Sequence, residues 1–139
     1  MNSNKFHKYF TDVRWGDMDL MMHVNNVSYL SYFESARVGF FMDTGIRIDG
    51  KTDGPVLLKT ECMYLQPIHY PARVCVETRI SHIGNTSYTI SQQLYNTDGH
   101  RLCTKALFTM VWTDGEKQRP LAIPDSMREK LNQFLSIQN

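Results

Sequence analysis

Two short turns rich in glycine and asparagine constrain what this chain can fold into. They lie at residues 83–85 and 96–99, and they separate three strand-like runs, from Arg73 to His82, from Ser87 to Tyr95 and from Leu102 to Trp112. Parallel neighbours in a sheet need a crossover connection of about a dozen residues or more, which turns this short cannot supply. The sequence therefore predicts that these three strands form an antiparallel meander.

A run with helical spacing precedes the strands. From Asn26 to about Thr44, apolar residues recur every three or four positions, which is the period of an α-helix. Gly45 follows at the position where a left-handed residue commonly ends a helix. Apolar residues such as Val38 and Met42 fall outside the main stripe, so we expect the helix to be buried on most of its faces.

Three further segments complete the predicted order of elements. A first strand is expected from about Lys5 to Arg14, another from Val56 to Leu65, and a short final helix from Pro124 to about Leu135. A single antiparallel sheet with helices packed on it is an α+β arrangement. We predict one domain over residues 1–139, in which a curved five-stranded antiparallel sheet wraps the long central helix.

Composition and charge narrow the classes of function. The formal net charge is +1 and no block of Lys and Arg occurs, so neither nucleic acid nor an acidic surface is expected as a partner. No segment approaches the roughly 20 consecutive apolar residues of a membrane span, and the first residues lack an apolar signal core. Cys62, Cys75 and Cys103 are odd in number and lie in strand-like segments, which favours free thiols. A cytoplasmic protein without a membrane partner is expected.

Charged and polar side chains gather just before the long helix. Asp17, Asp19 and His23 lie in a short apolar loop, and Asn25 and Asn26 follow where the helix begins. The start of a helix presents free N–H groups and the positive end of the helix dipole, so a carboxylate there would face an anion-stabilising site. A reaction in which an oxyanion develops beside an activated water needs that combination.

The residues by themselves allow three interpretations of this loop. In the first it is structural, with Asp17 or Asn25 capping the helix and His23 hydrogen-bonded in the interior. In the second, Asp17, Asp19 and His23 converge on a metal ion, which is disfavoured because no further cluster of ligands is evident. In the third, a carboxylate acts as a general base at the mouth of an apolar pocket.

A longer pattern around this loop resembles a known family. Residues 14–19 are Arg-Trp-Gly-Asp-Met-Asp, residues 23–26 are His-Val-Asn-Asn, Tyr29 follows, and residues 33–37 are Phe-Glu-Ser-Ala-Arg. The pattern resembles the acyl-CoA thioesterases of the hotdog fold, especially the 4-hydroxybenzoyl-CoA thioesterase group and its bacterial long-chain acyl-CoA members. The His-Val-Asn-Asn-x-x-Tyr segment is also similar to plant acyl-ACP thioesterases. The resemblance implies a hotdog fold that hydrolyses acyl-CoA to free acid and coenzyme A, without a cofactor.

The resemblance also implies roles for individual residues. Asp19, the second carboxylate of the pair, matches the catalytic aspartate, which acts as general base or as nucleophile. The backbone amide of Asn26 matches the donor that polarises the thioester carbonyl, so the N-terminus of the helix would form the oxyanion hole. His23 matches a histidine that supports the site, and Asp17 is assigned to the loop and the start of the helix.

Substrate contacts are expected from residues that flank this set. Met21 and Met22 would supply apolar, adaptable walls for the acyl group, although plain packing explains methionines there equally well. Asn25 and Tyr29 are expected to contact the substrate as well.

Charged residues outside the loop are assigned structural or surface roles. Glu34 and Arg37 are three positions apart on the predicted helix, which favours an ion pair over substrate contact. Four cations on or near the last strand are candidates for the coenzyme phosphates, but solvated surface charge is the favoured role for Arg101, Lys105, Lys117 and Arg119.

Alternative functions and an oligomeric state accompany this hypothesis. With an acyl carrier protein in place of coenzyme A, the protein would be an acyl-ACP thioesterase; without catalysis, it would be an acyl-thioester-binding protein. A hotdog dehydratase is disfavoured because the Asp-x-Asn-Pro-x-His loop that we expect of one is missing. Hotdog relatives build each site between two subunits, and one sheet around one helix leaves an unpaired edge, so we predict a homodimer or a homotetramer.

Overall fold

The computed structural model describes residues 5–46, 53–117 and 119–136. Its strands and α-helices follow one another as β1 (His7–Asp12), α1 (Asn26–Thr44), β2 (Gly54–Tyr64), β3 (Arg73–Ile83), β4 (Ser87–Asn96), β5 (Arg101–Thr113) and α2 (Asp125–Asn132). Short 3-10 turns lie at Trp15–Asp17 and Asp98–His100. Every predicted strand and helix is present, with ends that differ from the predicted ones by a few residues at most.

All five strands join one antiparallel sheet in the order β1-β3-β4-β5-β2. The predicted meander of β3, β4 and β5 is confirmed, with Ile80 opposite Ile90 and Ile90 opposite Phe108. Strand β1 pairs with the free side of β3, and β2, which follows α1 in the chain, pairs with the free side of β5. The α+β hotdog arrangement expected from the sequence is therefore confirmed.

Both ends of α1 are set by local contacts that the sequence predicts. At the start, the Asn25 side chain caps the helix, because its Oδ1 accepts the backbone N–H of Val27 at 3.1 Å. At the end, Gly45 has a φ of 75°, a left-handed conformation that glycine adopts without steric cost, and its N–H donates to the carbonyl of Met42. The helix extends over Asn26–Thr44, as predicted.

Aromatic and aliphatic side chains between α1 and the sheet form the core. Phe33, Ala36 and Phe40 of the helix are fully buried. The ring centroids of Phe33 and Phe108 lie 5.6 Å apart, which joins the helix to the middle of the sheet. Phe134, just after α2, packs 4.9 Å from Phe40 between ring centroids. Burying each such ring contributes about 1.5–3 kcal/mol, so these contacts hold α1 and its N-terminus against the sheet.

One face of α1 is exposed in the single chain. Val27, Val38 and Met42 lie on this face, and Met42 is 75% exposed. The expectation that the helix is buried on most of its faces is therefore wrong for the single chain. The physical reason is that the sheet covers one side of the helix only, and strand β2 at its edge is itself exposed along most of its length.

The three cysteines are free, as predicted. Cys75 and Cys103 are buried, and Cys62 is partly buried on β2. Burial raises the pKa of the Cys62 and Cys75 thiols, so both are held in the less reactive protonated form. Over the described ranges, no helix is long and apolar enough to cross a membrane.

A buried arginine takes the place of the expected ion pair on α1. Arg37 is 7% exposed, and its Nη1 donates to Oε1 of Gln92 on β4 at 3.2 Å. Its guanidinium carbon lies 4.0 Å from the centroid of the Phe108 ring. Glu34 is exposed, and no ion pair joins it to Arg37 in the described part of the chain. The predicted Glu34–Arg37 pair is wrong, because the sheet offers Arg37 a buried acceptor while Glu34 stays hydrated.

Gln92 completes a buried network between the helix and the sheet. Its Nε2 donates to the carbonyl of Phe33 at 3.2 Å and to Oγ1 of Thr78 at 3.0 Å, while its Oε1 accepts from Arg37. Burial lowers the pKa of Arg37, and the charge of Glu34 opposes that shift. One side chain therefore links polar groups of α1 and β3 in the interior, where buried polar groups need hydrogen-bond partners.

Replacing Gln92 with leucine should lower the free energy of unfolding by about 1–3 kcal/mol, because Arg37 and the Phe33 carbonyl would lose buried partners. Chemical denaturation measures the change. The Gln93→Leu variant, on the opposite face of β4, removes only the partly buried hydrogen bond from the Tyr95 hydroxyl, and should cost clearly less, about 0.5–1 kcal/mol. An Arg37→Met/Gln92→Leu double variant should regain part of the loss, because it removes the buried charge as well. A Gln92→Leu protein as stable as the wild type would contradict the role given to this network.

Candidate active site

The loop between β1 and α1 is pinned to the connection between β2 and β3. The N–H of Val13 donates to the carbonyl of Ala72, and the N–H of Val24 donates to the carbonyl of Ile68, both at 2.9 Å. Met18 and Val24 form a short antiparallel bridge that closes the loop between them. The residues between Met18 and Val24 are therefore held as a small turn beside the start of α1.

Asp17 anchors this loop to the helix. Its Oδ2 accepts the N–H of Arg14 at 2.9 Å and the hydroxyl of Tyr32 at 2.6 Å. Its backbone carbonyl accepts the N–H of Asn25 at 2.8 Å and the hydroxyl of Ser28 at 3.3 Å. Burial and the bond to the Asp17 carboxylate raise the pKa of Tyr32, so the phenol stays a hydrogen-bond donor. The assignment of Asp17 to the loop and the start of the helix is confirmed.

Asp19 is held from one side only. Its Oδ1 accepts the backbone N–H of Met21 at 2.9 Å and that of His23 at 3.3 Å, and its own N–H donates to the carbonyl of His23 at 2.9 Å. In the part of the chain that the structure describes, Oδ2 accepts no hydrogen bond. The carboxylate is thus oriented through one oxygen while the other is left for a water or a substrate.

The apolar residues of the turn project into solvent. Leu20 is 100% exposed, Met21 73% and Met22 53%. Met22 has a φ of 61°, a left-handed conformation that is costly for a bulky side chain and is kept only where surrounding contacts enforce it. Neither Met21 nor Met22 lines the cleft next to Asp19 in the single chain, so their expected part in binding the acyl group stays a prediction.

A cleft of about 360 Å³ opens beside the turn. It brings together four of the residues singled out in the sequence, which are Asp19, His23, Asn26 and Tyr29. Its remaining walls come from Val24 and from the end of β2 and the segment after it, with the residues Tyr64, Leu65, Gln66 and Pro67. This second wall was not predicted from the sequence, because no local pattern links residues 64–67 to the loop.

The first residue of α1, which lines this cleft, has an unpartnered backbone donor among the described residues. The N–H of Val27 is taken by the Asn25 side chain, and the N–H of Ser28 donates to the Asn25 carbonyl at 2.9 Å. The N–H of Asn26 donates to no acceptor among the described residues, and Asn26 lines the cleft. The Asn25 side chain is engaged in the cap, so its expected contact with substrate stays a prediction. Among the described residues, Asn26 keeps an unpartnered N–H at the positive end of the helix dipole.

Two tyrosines border the cleft as neutral groups. Tyr64 donates its hydroxyl to the carbonyl of Asn26 at 3.0 Å, and its ring meets the ring of Tyr29 edge-on at 5.3 Å between centroids. Burial raises the pKa of Tyr29 to about 12 and that of Tyr64 to about 12. Both phenols are therefore protonated at neutral pH and cannot serve as bases there, which leaves Asp19 and His23 for that role among the residues lining the cleft.

A second histidine, which the sequence analysis missed, supports the turn. The rings of His23 and His69 meet edge-on, with centroids 4.8 Å apart. Nδ1 of His69 lies 3.2 Å from the carbonyl oxygen of Met22, and because a carbonyl only accepts, Nδ1 carries the hydrogen. His69 therefore stabilises the strained residue of the turn. The available signal was a histidine placed between Pro67 and Pro71, in a segment too short to be regular structure.

Other charged and metal-ligating side chains of the described residues do not converge on the cleft. The described residues include no group of three or more His, Cys, Asp or Glu side chains placed to hold one metal ion. The four cations considered for coenzyme phosphates lie in different places: Arg101 lines a cavity next to the cleft, Lys105 lines one on the opposite side of the sheet from α1, and Lys117 and Arg119 are exposed after β5.

The sequence of the chain is similar to those of known thioesterases. A family model for the thioesterase-like superfamily matches residues 13–131. The chain is 26% identical over 125 residues to the long-chain acyl-CoA thioesterase FadM of Escherichia coli, covering 88% of this chain and 95% of that protein. It is 28% identical over 135 residues to the acyl-acyl carrier protein thioesterase ATL3 of Arabidopsis thaliana, covering 95% of this chain and 70% of that one.

A solved structure shows the same architecture. A thioesterase from Thermus thermophilus, complexed with coenzyme A and Zn, superposes with a TM-score of 0.77 at 31% identity, over 89% of this chain and 90% of that chain.

Replacing His69 with phenylalanine should loosen the turn while keeping a ring against His23. Loss of one hydrogen bond, worth about 0.5–1.5 kcal/mol, should speed hydrogen exchange of the Met21 and His23 amides by about two- to tenfold. Nuclear magnetic resonance exchange measurements report this at single residues. His69→Asn, which keeps a donor, should restore part of the protection, and His82→Phe on the exposed surface of β3 is the matched control. Unchanged hydrogen-exchange rates of the Met21 and His23 amides in His69→Phe would show that the bond to Met22 does not stabilise the turn.

Proposed function

The chain belongs to the thioesterase-like superfamily and is a thioester hydrolase, and we propose that it hydrolyses acyl-CoA thioesters to the free acid and coenzyme A. One observation carries the proposal: the unpartnered oxygen of Asp19 and the unpartnered N–H of Asn26 belong to residues that line one cleft. Ester-type hydrolysis requires a base or nucleophile beside the carbonyl carbon and a hydrogen-bond donor at the carbonyl oxygen. The similarity to the acyl-CoA thioesterase FadM supports coenzyme A as the thiol.

Asp19 acts in this proposal by one of two routes. As general base, it takes a proton from a water that attacks the thioester carbonyl carbon; the tetrahedral intermediate then expels the thiolate of coenzyme A, which recovers the proton. As nucleophile, it attacks the same carbon to form a mixed anhydride and release the thiolate, and water then cleaves the anhydride to regenerate the carboxylate. Both routes use the oxygen of Asp19 that accepts no hydrogen bond.

The start of α1 stabilises the charge that develops on the carbonyl oxygen. In either route that oxygen becomes negative, and the N–H of Asn26 together with the positive end of the helix dipole would receive it. One such donor is typically worth about 3–4 kcal/mol of the barrier. The Asn25 cap supports this role, because it satisfies the neighbouring N–H of Val27 and leaves that of Asn26 for the substrate.

His23 and the tyrosines surround the reacting groups. The backbone N–H of His23 holds Oδ1 of Asp19, and its partly buried ring borders the cleft, where it would orient the water or the carboxylate. Tyr29 and Tyr64 stay protonated and supply an uncharged wall for the group that enters. Met21, Met22 and Asn25 are kept as candidate substrate contacts.

Acyl carrier protein is a second candidate for the thiol carrier. The similarity to ATL3, an acyl-acyl carrier protein thioesterase, favours it, and hydrolysis of both kinds of substrate at equal acyl chain length separates the two. A non-catalytic acyl-thioester-binding protein is the alternative from another class of function.

Replacing Asp19 with asparagine should reduce kcat by about 10²–10⁴-fold while fold and oligomer stay intact, because the base or nucleophile is lost. Asp17→Asn is the matched control and should reduce kcat much less, since the amide oxygen of asparagine can still accept both side-chain hydrogen bonds that hold the loop. His23→Ala should give an intermediate loss. The assay is thiol release from short, long and aromatic acyl-CoAs, with and without a chelator, which should make no difference.

Two results would overturn this mechanism or the activity behind it. Equal rates for wild type and Asp19→Asn across the panel would refute the role of Asp19. A wild-type protein that hydrolyses no thioester, but binds acyl-CoA saturably, would favour the acyl-binding alternative.

We also propose that the protein is a homodimer or a homotetramer. Strand β2 is an open edge of the sheet and carries the exposed residues Val56, Leu57 and Leu58. The exposed face of α1 adds further apolar surface, including Val27 and Val38. An open edge flanked by apolar side chains is a surface that a second chain can pair with and cover.

Light scattering at micromolar concentration should give two or four times the chain mass of 16.2 kDa. A charge on the edge strand opposes strand pairing, so Leu58→Lys should shift the protein toward the monomer and reduce activity with it. Gln133→Lys, exposed at the end of α2, is the matched control and should leave the mass unchanged. A wild-type monomer under these conditions would contradict shared sites.

A further inference from the structure

A second cavity of about 390 Å³ adjoins the Asp19 cleft. Gln66 and Pro67 line both spaces, so the two are separated by one short segment after β2. The second cavity is bordered on its far side by the turn between β4 and β5, which contributes Asn96, Asp98 and Arg101. A ligand bound in the cleft can therefore extend across this segment without leaving the surface of the chain.

Arg101 is the positive group of the second cavity. Its Nε donates to the carbonyl of Asp98 at 3.2 Å, which turns the side chain back over its own turn. Its terminal nitrogens donate to no described residue, and no carboxylate of the described chain lies within ion-pair distance of it. A guanidinium with two free terminal nitrogens presents the fork that binds phosphate oxygens in pairs.

The other groups of this cavity suit a polar chain rather than a simple anion. Nδ1 of His69 donates to the Met22 carbonyl, so its Nε2 is available to a ligand. The Oδ1 of Asn96 already accepts the N–H of Asp98 at 3.0 Å, so Asn96 offers its amide nitrogen as a donor, and the Asp98 carboxylate adds an acceptor for amide and hydroxyl groups. The phosphorylated arm common to coenzyme A and to acyl carrier protein carries two amides and a hydroxyl beside its phosphate, and this mixture matches the residues present.

The two substituents of the thioester carbonyl need two separate spaces. Its carbonyl has an acyl substituent on one side and a sulfur on the other, and with the carbonyl between Asp19 and Asn26 the sulfur-linked arm must leave the cleft by a different path from the acyl group. We propose that the arm crosses Gln66 and Pro67 and that the second cavity binds it, with Arg101 contacting its phosphate. This inference rests on the proposed thioester hydrolysis, and it revises the surface role expected for Arg101.

The test compares substrates that share one acyl group and differ in the thiol. Arg101→Gln should raise KM for acyl-CoA about tenfold with kcat at saturation unchanged, because the contact is made by a remote part of the substrate. The same variant should leave hydrolysis of the phosphate-free acyl-pantetheine unchanged. Lys105→Gln removes a cation that lines the other side of the sheet and should behave as wild type with both substrates.

An acyl-phosphopantetheine substrate identifies the phosphate. A tenfold effect with this substrate assigns Arg101 to the phosphate that coenzyme A and acyl carrier protein share, and supports the inference. An effect with acyl-CoA alone would assign Arg101 to the nucleotide phosphates and overturn its contact with the arm. An equal loss with acyl-pantetheine, or no loss with any substrate, would overturn the inference.

Calorimetry with coenzyme A itself gives a readout that does not depend on catalysis. Arg101→Gln should weaken the Kd about tenfold, and an unchanged Kd would reject the contact. This measurement does not depend on hydrolysis. A wild-type protein that binds coenzyme A through Arg101 but cleaves no thioester would therefore contradict the proposed function and still support coenzyme A binding in the second cavity.

Discussion

Asp17 joins the loop to the helix, and the placement of the groups in the cleft depends on that junction. Its carboxylate accepts the N–H of Arg14 and the hydroxyl of Tyr32, and its carbonyl accepts the N–H of Asn25. Hydrogen bonds to an ionised carboxylate are shorter and stronger than neutral ones. Because Asn25 is also the cap of α1, the contact that ends the loop starts the helix, and Asp19 is brought to the helix N-terminus.

Two aspartates of one short segment differ in what they can do because their surroundings differ. The carboxylate of Asp17 is engaged by a backbone N–H and by a phenol whose pKa is raised, so it is fixed in a structural role. The carboxylate of Asp19 is oriented through one oxygen by the backbone of its own turn and keeps the other unpartnered. A base must be held and yet remain accessible, and this environment meets both requirements.

Local signals explain how much of the fold and of the site could be predicted. The limits of α1 follow from a side-chain cap at Asn25 and a left-handed Gly45, each of which acts over a few residues. The antiparallel order of β3, β4 and β5 follows from turns too short for any other connection. The residues Asp19, His23 and Asn26 meet in one cleft because only a short turn separates them along the chain.

The sequence by itself determined the elements, their ends and one side of the cleft, because capping, turn length and periodicity act between near neighbours. Only the tertiary structure decided which distant residues complete them. It paired Arg37 with Gln92, 55 positions away, instead of with Glu34, and it brought His69 to the turn, 47 positions from Met22. Such partners are selected by burial between the helix and the sheet, or by the packing of one connection on another. Neither kind of contact leaves a periodic trace in the chain.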